Sequence, residues 1–363
     1  MKKIAILPGD GIGIEIVAQS VKVLQTLIAR GLEAELHEAP VGATAYLQCG
    51  HPLPESTFAL AKAADAILFG AVGDARYDHL GPLRPDSAIG GLRQGLGLFS
   101  SLRQIQIDSD LAAMSPLRAE LVSGLDVVIV RELGGDVYFG KPRGQRTAAD
   151  GPFLGEAEGF DTMRYADGEV RRIAHIAFKV ARSRGRRLCS ADKANVLETS
   201  RLWRRVVSEV GQEYPDVELT HVFADNVAMR LVTQPKYFDV IVTANLFGDI
   251  LSDVASVLTG SVGLPASAMF NEAGLGLYEP GHGSAFDIAG KDVANPIASI
   301  RCVALMLRHS LARTDLATRV ESAINKVLKS GLRTADIYQP HTRKVGTAEM
   351  GASIVDAIEG DLA

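Results

Sequence analysis

The chain has 363 residues, of which 47% are hydrophobic and 22% are charged, and its formal net charge is −5 at pH 7. The length predicts two domains and the composition is that of an ordinary globular protein. Since no basic stripe dominates, nucleic acid is excluded as the main ligand. Three isolated cysteines favour a reducing compartment without disulfides. The N-terminal apolar run is too short for a signal peptide, and no window reaches the roughly 18 apolar residues of a membrane span. We therefore expect a soluble cytoplasmic protein without a membrane partner.

The N-terminal segment predicts a strand, Lys3 to Leu7, followed by the glycine-rich turn PGDGIG at residues 8–13. Its glycines have the spacing G-x-G-x-G, and Ile14 stands where the last glycine of a dinucleotide-binding G-x-G-x-x-G would be. Because such a turn alone is weak evidence for a cofactor, we favour a structural turn. Helical and strand patterns then alternate as far as Phe69, which predicts a mostly parallel sheet.

Three arginines lie beside apolar segments. Arg93 and Arg103 flank an apolar stretch within the glycine-rich segment 86–103, and Arg131 ends the strongly apolar strand 126–130. The planar guanidinium group matches carboxylates, so three arginines near strand ends could hold a substrate with several carboxylates. Taken singly, a surface position is the simpler interpretation of each.

Two strands in the middle of the chain are followed by ionisable residues. Lys193 comes shortly after the strand 187–190, and Asp225 comes after the strand 217–223. A desolvated lysine can act as a base of lowered pKa, and a plain surface lysine is the alternative. Between Arg131 and these strands, the sequence has strand alternation around Tyr138 and then a polar, glycine-rich arm or loop.

The stretch 240–263 combines a buried strand, a turn and a helix that carries Asp249 and Asp253. Residues i and i+4 lie one above the other on a helix face, so both carboxylates point the same way. They lie just past the carboxyl end of a strand, where open α/β sheets bind ligands. Mg²⁺ and Mn²⁺ favour oxygen ligands of this kind. Spacing alone leaves a metal site and a solvated acidic helix face equally open.

The segment 278–296 predicts a long loop that contains three glycines, His282 and Asp287. Backbone donors, a histidine and an acid are components of a nucleotide site. An ordinary surface loop explains the same composition equally well.

Taken together, these segments resemble the β-decarboxylating dehydrogenase family, whose members oxidise isocitrate, 3-isopropylmalate, homoisocitrate, tartrate or D-malate. The resemblance covers essentially the whole chain. It rests on residues 245–264 together with RELGGDVYFG (131–140), DKANVLE (192–198) and HGSAFDIAGK (282–291). The segment YFGKPRG around Tyr138 and the spacing from Arg93 to Arg103 are most similar to those of members that act on 3-isopropylmalate.

The resemblance implies an α/β fold of two domains with mostly parallel sheets, which is not a Rossmann fold. Residues 1–98 and 260–363 would form the first domain, with an NAD-binding loop at 279–295. Residues 99–259 would form the second, with the metal site, the dimer interface and an arm at about 135–165. The implied reaction is the NAD-dependent, metal-assisted oxidation and decarboxylation of a small 3-substituted malate, most simply 3-isopropylmalate in leucine biosynthesis.

The resemblance also implies a homodimer with a shared active site, to which one subunit contributes Lys193 and Asp225. The other subunit would contribute Asp249, Asp253, Tyr138 and the three arginines. Lys193 would be the base and Tyr138 the proton donor.

The implied ligands of Mg²⁺ or Mn²⁺ are Asp225, Asp249 and Asp253. The implied substrate-binding residues are Arg93, Arg103, Arg131 and Asp225, with Asp86, Ile89, Gly90 and Val196 around the substituent on C3. The implied cofactor-binding residues are Glu279, His282, Gly283, Ser284, Ala285, Asp287 and Asn295. Asp287 matches the acid that takes the ribose hydroxyls, which favours NAD over NADP.

Some positions depart from the family pattern. Isopropylmalate enzymes line the alkyl pocket with an acid and two leucines, where this chain has Asp86, Ile89 and Gly90. A bulkier 3-alkylmalate or 3-arylmalate such as benzylmalate is therefore an alternative substrate, unless a loop shift or another side chain fills the gap. D-malate, isocitrate and homoisocitrate are further alternatives. A non-catalytic relative is disfavoured, because every ionisable residue of the chemistry is present. Ile14 and Phe286 stand where family members usually carry proline.

Overall fold

The computed structural model describes residues 1–360, which form two compact units. The first unit comprises Met1–Asp126 and the chain from Ala255 onward, and the second unit is Val127–Val254. The expected domain boundaries at 98/99 and 259/260 do not coincide with this division. The strand Ser100–Gln106 belongs with the first unit because it pairs along its length with residues 266–270.

The helices and strands are numbered here in chain order. The first unit begins with β1 (Lys2–Gly9), α1 (Ile12–Ala29), β2 (Ala34–Glu38), α2 (Ala43–Cys49), α3 (Glu55–Ala63), β3 (Ala66–Ala71), α4 (Ser87–Gly95), β4 (Ser100–Gln106) and α5 (Ala119–Val122). Next come β5 (Asp126–Glu132), β6 (Gly144–Thr147), β7 (Ala157–Phe160), α6 (Asp167–Arg182), β8 (Arg187–Asp192), α7 (Glu198–Gly211), β9 (Glu218–Phe223), α8 (Ala224–Thr233), β10 (Val240–Thr243) and α9 (Asn245–Val257). The chain continues with β11 (Ala266–Phe270), β12 (Gly276–Pro280), α10 (Ile297–His309), α11 (Thr314–Lys329), β13 (Leu332–Arg333), β14 (Arg343–Lys344) and α12 (Thr347–Gly360).

In the first unit the strand order is β2-β1-β3-β12-β11-β4. Strand β1 is parallel to β2 and β3, and β3 is parallel to β12, whereas β11 is antiparallel to both β12 and β4. In the second unit the order is β5-β10-β8-β9, all parallel. Strands β6 and β7 form an antiparallel hairpin of their own. The expectation of an α/β fold with mostly parallel sheets is therefore confirmed.

Helix α1 forms part of the core of the first unit. Ile16 and Leu24 are fully buried, and the helix packs against α10 and α12. Within residues 1–360 it is the one helix whose length and mean hydropathy would allow it to cross a membrane, although it contains Glu15 and Lys22. Half of that apolar stretch is buried inside the protein, which is the packing of a core helix. The helix ends at Ala29, and Gly31, just beyond the C-cap residue Arg30, has a φ of 102° that suits a residue without Cβ.

Candidate active site

The parallel strands of the second unit bring their carboxyl ends together. In the strand register, Thr243 on β10 lies beside Arg131 on β5 and beside Ala191 on β8, and Asp192 lies beside Phe223 on β9. The residues that follow these strand ends include Lys193 and Asp225. This is the edge at which open α/β sheets bind ligands.

The guanidinium group of Arg131 organises one side of this edge. Arg131 is buried, its Nε donates to Asn245 Oδ1 at 2.9 Å, and its Nη1 donates to Asp249 Oδ1. The hydroxyl of Tyr138 donates to Asp249 Oδ2 at 2.5 Å, and its ring lies 5.5 Å from the guanidinium carbon of Arg131. Burial, then the Asp249 carboxylate, raises the pKa of Tyr138, which keeps the phenol protonated. The structure thus brings together three of the predicted site residues.

Helix α9 approaches Arg131 closely because it carries a glycine at the contact. A Cβ on Gly248 would lie 2.6 Å from Arg131 Cγ. Asn245 fixes the start of the helix, since its Nδ2 donates to the carbonyls of Leu133 and Gly135 at 3.1 and 3.3 Å. The sequence reasoning missed both residues. An amide directly after a buried strand, followed three residues later by glycine, is the signal that could have indicated them.

The predicted metal ligands are only partly assembled within one chain. Asp249 and Asp253 lie four residues apart on α9, with Asp253 exposed and Asp249 half-exposed. Among residues 1–360 no group of three histidine, cysteine or acidic side chains is close enough to hold a metal ion. Two same-facing carboxylates at a strand edge fit part of the oxygen donor set of Mg²⁺ or Mn²⁺. A third protein ligand would have to come from a residue other than Asp249 and Asp253.

Lys193 and Asp225 form a second pair in the same unit. The two side chains make an ion pair at 2.8 Å, and the Lys193 ammonium lies 5.7 Å from the ring centre of Phe223. The hydrogen bond from Lys193 lowers the pKa of Asp225. The backbone N–H of Lys193 donates to Ser200 Oγ at 3.1 Å, which anchors the lysine at the end of β8. Val196, in the same loop, is 62% exposed and therefore available for a contact outside its own chain.

In the first unit, α4 and neighbouring strands position two of the arginines. Arg93 Nη2 pairs with Glu279 Oε1 at 3.1 Å, while the Arg93 Nε is buried without a hydrogen-bond partner. The register places Arg103 beside Ser267 and Ser267 beside Glu279, so these three residues form one row across β4, β11 and β12. Such a row shares a face of the sheet.

Three of the four predicted substituent-binding residues lie on α4 or just before it. Asp86 precedes the helix, and Gly90 and Arg93 follow at i+4 and i+7, so the three share one helix face. Ile89 is half-buried beside them. A Cβ on Gly90 would meet no atom within 4 Å, so the space above the glycine is open in this chain.

The loop after β12 carries the predicted cofactor-binding residues. His282 Nδ1 lies 3.0 Å from the carbonyl of Gly283, and its Nε2 is buried without a hydrogen-bond partner. Burial lowers the pKa of His282, so the ring is neutral at pH 7. Gly283 and Asp287 are exposed. An unsatisfied ring nitrogen, an open backbone and an accessible carboxylate fit a dinucleotide.

The other loop residues are already engaged within the first unit. Ser284 Oγ donates to the carbonyl of Gly73 at 2.6 Å. Ala285 adopts a φ of 39°, which is unusual for a residue other than glycine. Asn295 is buried, and its side-chain amide donates to Asp336 at 3.0 Å and accepts from the N–H of Ile297 at 3.0 Å. The nitrogen and the oxygen of the Asn295 side chain therefore each have a partner within the first unit.

The N-terminal glycine-rich turn packs against this loop. Gly11 has a φ of 55°, and a Cβ there would lie 2.0 Å from the carbonyl oxygen of Ser284. That oxygen accepts a hydrogen bond from the N–H of Ile12 at 2.8 Å. The glycines thus allow close backbone contact, which agrees with their interpretation as a structural turn.

The departure at Phe286 has a partner in the structure. The guanidinium carbon of Arg76 lies 5.4 Å from the centre of the Phe286 ring. Arg76 is held there by Asp74, which accepts from its Nε and Nη2 at 2.9 and 2.6 Å. The ring therefore takes part in a cation–π contact directly beside Asp287.

The chain is similar in sequence to known proteins along almost its whole length. The family model described as isocitrate/isopropylmalate dehydrogenase matches residues 3–354. The 3-isopropylmalate dehydrogenase of Bordetella avium is 58% identical over 358 residues, which are 98% of this chain and 99% of the relative. That of Cupriavidus metallidurans is 58% identical over 357 residues, which are 98% of this chain and 100% of the relative.

Solved structures show the same fold. The isocitrate dehydrogenase of Methylococcus capsulatus superposes with a TM-score of 0.84 at 33% identity and covers 99% of both chains. A β-decarboxylating dehydrogenase of Thermococcus kodakarensis superposes with a TM-score of 0.82 at 33% identity, covering 100% of this chain and 97% of the other.

Proposed function

Because the chain belongs to the isocitrate/isopropylmalate dehydrogenase family, we propose that it oxidises and decarboxylates 3-isopropylmalate to 4-methyl-2-oxopentanoate, with NAD and Mg²⁺ or Mn²⁺. The observation that carries this proposal is the identity of 58% with 3-isopropylmalate dehydrogenases over 98% of the chain. The arrangement of the ionisable residues supports it. The reaction is a step of leucine biosynthesis, and we infer that it takes place in the cytoplasm without nucleic-acid or membrane partners.

The proposed site residues have separate roles in the reaction. Lys193 accepts the proton of the C2 hydroxyl, directly or through water, and bound NAD would supply the acceptor for the C2 hydride. The C3 carboxylate then leaves as CO₂, and Tyr138 returns a proton to C3. When bound, the divalent cation supplies Lewis acidity at the hydroxyl and later at the ketone oxygen. Arg93, Arg103 and Arg131 hold the substrate carboxylates.

The protonation states on one side of the site suit these roles. The raised pKa of Tyr138 keeps a proton on the phenol until the enolate requires it. Asp249 accepts hydrogen bonds from both Arg131 and Tyr138, so this carboxylate is oriented before a cation arrives. We therefore assign Asp249 and Asp253 as metal ligands, together with Asp225.

Asp225 would reach the cation from a second copy of the chain. Two helices of the second unit support such a homodimer, because they expose apolar side chains. Met229 and Val232 on α8 are 67% and 43% exposed, and Ile250 on α9 is 55% exposed. Large apolar residues clustered on helix faces are characteristic of interfaces. Phe153 and Leu154, at the tip of the β6–β7 arm, are 64% and 69% exposed and give the arm an apolar end.

NAD is the expected cofactor because of the charge at the loop after β12. The exposed carboxylate of Asp287 suits the two ribose hydroxyls and repels a 2′-phosphate. The neutral His282 ring supplies an acceptor nitrogen or an aromatic face. Glu279, Gly283, Ser284, Ala285 and Asn295 complete the proposed cofactor contacts.

The experiment measures NADH formation by the purified protein with 3-isopropylmalate, benzylmalate, D-malate, isocitrate and homoisocitrate. We expect the highest kcat/KM with 3-isopropylmalate, loss of turnover with EDTA, and recovery with excess Mg²⁺. A higher kcat/KM with isocitrate or homoisocitrate would overturn the substrate assignment. Undiminished turnover in EDTA would overturn the assignment of a metal.

A second candidate substrate is a malate with a larger C3 substituent, because the space above Gly90 is open. If that space is part of the pocket, Gly90→Leu should raise the kcat/KM ratio of 3-isopropylmalate over benzylmalate about 10-fold or more. Gly168→Leu is a matched control, since Gly168 is also helical with open space around it. An unchanged ratio in Gly90→Leu would remove this candidate.

A further inference from the structure

The carboxylate of Asp10 lies at the centre of a hydrogen-bond network in the first unit. Asp10 is 1% exposed and accepts from the backbone N–H groups of Ala43, Thr44 and Gly73 at 2.8, 2.8 and 3.1 Å. Thr44 Oγ1 also donates to Asp10 at 3.1 Å. Burying a carboxylate costs free energy unless donors of this kind satisfy it. The network therefore joins the N-terminal turn, the start of α2 and the segment after β3.

Space around this carboxylate is restricted. Gly42 has a φ of 74°, and a Cβ there would lie 2.2 Å from Asp10 Oδ2. The N–H of Asp10 donates to the carbonyl of Ala71 at 2.7 Å, so the backbone of Asp10 is also tied to the last residue of β3. The position of Gly73 is consequently set by Asp10.

Gly73 links Asp10 to the loop after β12 by hydrogen bonds. Its N–H donates to Asp10, and its carbonyl accepts from Ser284 Oγ at 2.6 Å. On its other side, Ser284 accepts through its carbonyl from the N–H of Ile12 at 2.8 Å. Ser284 is thus held from two directions, by Gly73, which is bonded to Asp10, and by Ile12, which lies two residues after Asp10.

We infer that Asp10 is a positioning residue for the dinucleotide. It acts through Gly73 and Ser284 on the backbone of Gly283 and Ala285, and it touches neither NAD nor substrate. This inference rests on the proposed function, which assigns that loop to NAD. It gives the glycine-rich turn a role in cofactor binding without a direct phosphate contact.

The test is the affinity of the full-length protein for NADH, measured by fluorescence titration, with kcat and KM as separate readouts. Asp10→Asn keeps the shape of the side chain but turns one acceptor into a donor that faces a backbone N–H, since both oxygens accept from the backbone. We expect the Kd for NADH and the KM for NAD to rise about 10-fold. At saturating NAD, kcat should stay within about 3-fold of the wild type, and Asp10→Glu should recover part of the affinity.

Asp239→Asn is the matched control. Asp239 is a buried carboxylate of the second unit, which accepts from Arg184 Nε at 3.1 Å and from the N–H of Arg187 at 3.4 Å. The Asp239→Asn substitution should lower the thermal midpoint of unfolding without changing the Kd for NADH. An equal loss of NADH affinity in Asp239→Asn would overturn the inference, because the effect would then be general loosening.

Thr44→Val provides a milder variant in case Asp10→Asn does not fold. It removes only the Thr44 hydroxyl, which donates to Asp10 and to the carbonyl of Gly9, and we expect an increase of about 3-fold in the Kd for NADH. Wild-type affinity in whichever of the two variants folds would overturn the positioning role. If the wild-type protein itself did not bind NADH, the proposed function would fail instead.

Discussion

In the first unit, the loop proposed to bind NAD is held at Ser284 by hydrogen bonds to backbone groups of Ile12 and Gly73, whereas in the second unit the proposed catalytic residues include charged side chains at strand ends. Gly11 and Ile12 fix Ser284 through its carbonyl. In the second unit, Asp249 is held by Arg131 and Tyr138, and Asp225 is held by Lys193. The backbone-built part is complete within one chain. The side-chain part has its acids in two separate groups, which the proposed mechanism unites through a cation and a second copy of the chain.

The largest expected effect comes from removing the base. Lys193→Met should lower kcat by about 10²- to 10⁴-fold, because the C2 hydroxyl loses its proton acceptor. The Kd for NADH should not change, since the loop after β12 is untouched. Lys179→Met, at an exposed position of α6, is the control and should keep wild-type kcat. Normal turnover by Lys193→Met would remove this lysine from the mechanism.

An intermediate effect is expected from the backbone-built part. Gly11→Ala places a Cβ 2.0 Å from the Ser284 carbonyl oxygen at a φ of 55°. Strain of about 1–3 kcal/mol should lower the thermal midpoint by several degrees and weaken NADH binding. Gly31→Ala also has a positive φ but no atom within 4 Å, so it should cost stability alone. Equal NADH affinity in the two variants would contradict the proposed contact between the turn and the loop.

The smallest expected effect is on acid stability. Because burial lowers the pKa of His282, the folded state favours the neutral ring. The stability that the folded state gains from the neutral His282 ring is fully present above the unfolded-state pKa of about 6.5. This stability is lost as the pH falls through the lower folded-state pKa. The thermal midpoint should therefore fall between pH 7 and pH 5, and His282→Asn should reduce this fall. His79→Asn, at an exposed position, should not. If the thermal midpoints of the wild type and of His282→Asn fell equally between pH 7 and pH 5, the expected contribution of His282 would be contradicted.

Much of the fold could be predicted because its signals are local. The N-terminal strand at Lys3 and the buried strand at Val240 both lie close to where the patterns indicated. Helix α4 was harder, since Gly90, Gly91 and Gly95 weaken its pattern. Helix α2 begins after Gly42 and was not predicted. Its start is fixed by Asp10, whose partners lie more than thirty residues away in the sequence.

Residue type at strand ends indicated Lys193 and the acids as candidates, whereas the role of Tyr138 was implied only by the resemblance to the family. Which of these side chains contact one another could not be predicted from the sequence. That Asp249 contacts Arg131 depends on Gly248, which permits the close approach of α9. The anchoring of Ser284 by Gly73 depends on a contact over more than two hundred residues, for which the sequence holds no local signal.

The central claim is that Asp225 of one subunit and Asp249 of the other serve the same cation. The most direct test is complementation between Asp225→Asn and Asp249→Asn, coexpressed with different tags so that the mixed dimer can be isolated. Each variant alone should be inactive with 3-isopropylmalate, NAD and Mg²⁺. The mixed dimer contains one site with both substitutions and one site with neither, so it should recover about half of the wild-type activity. A mixed dimer as inactive as its parents would contradict the shared site.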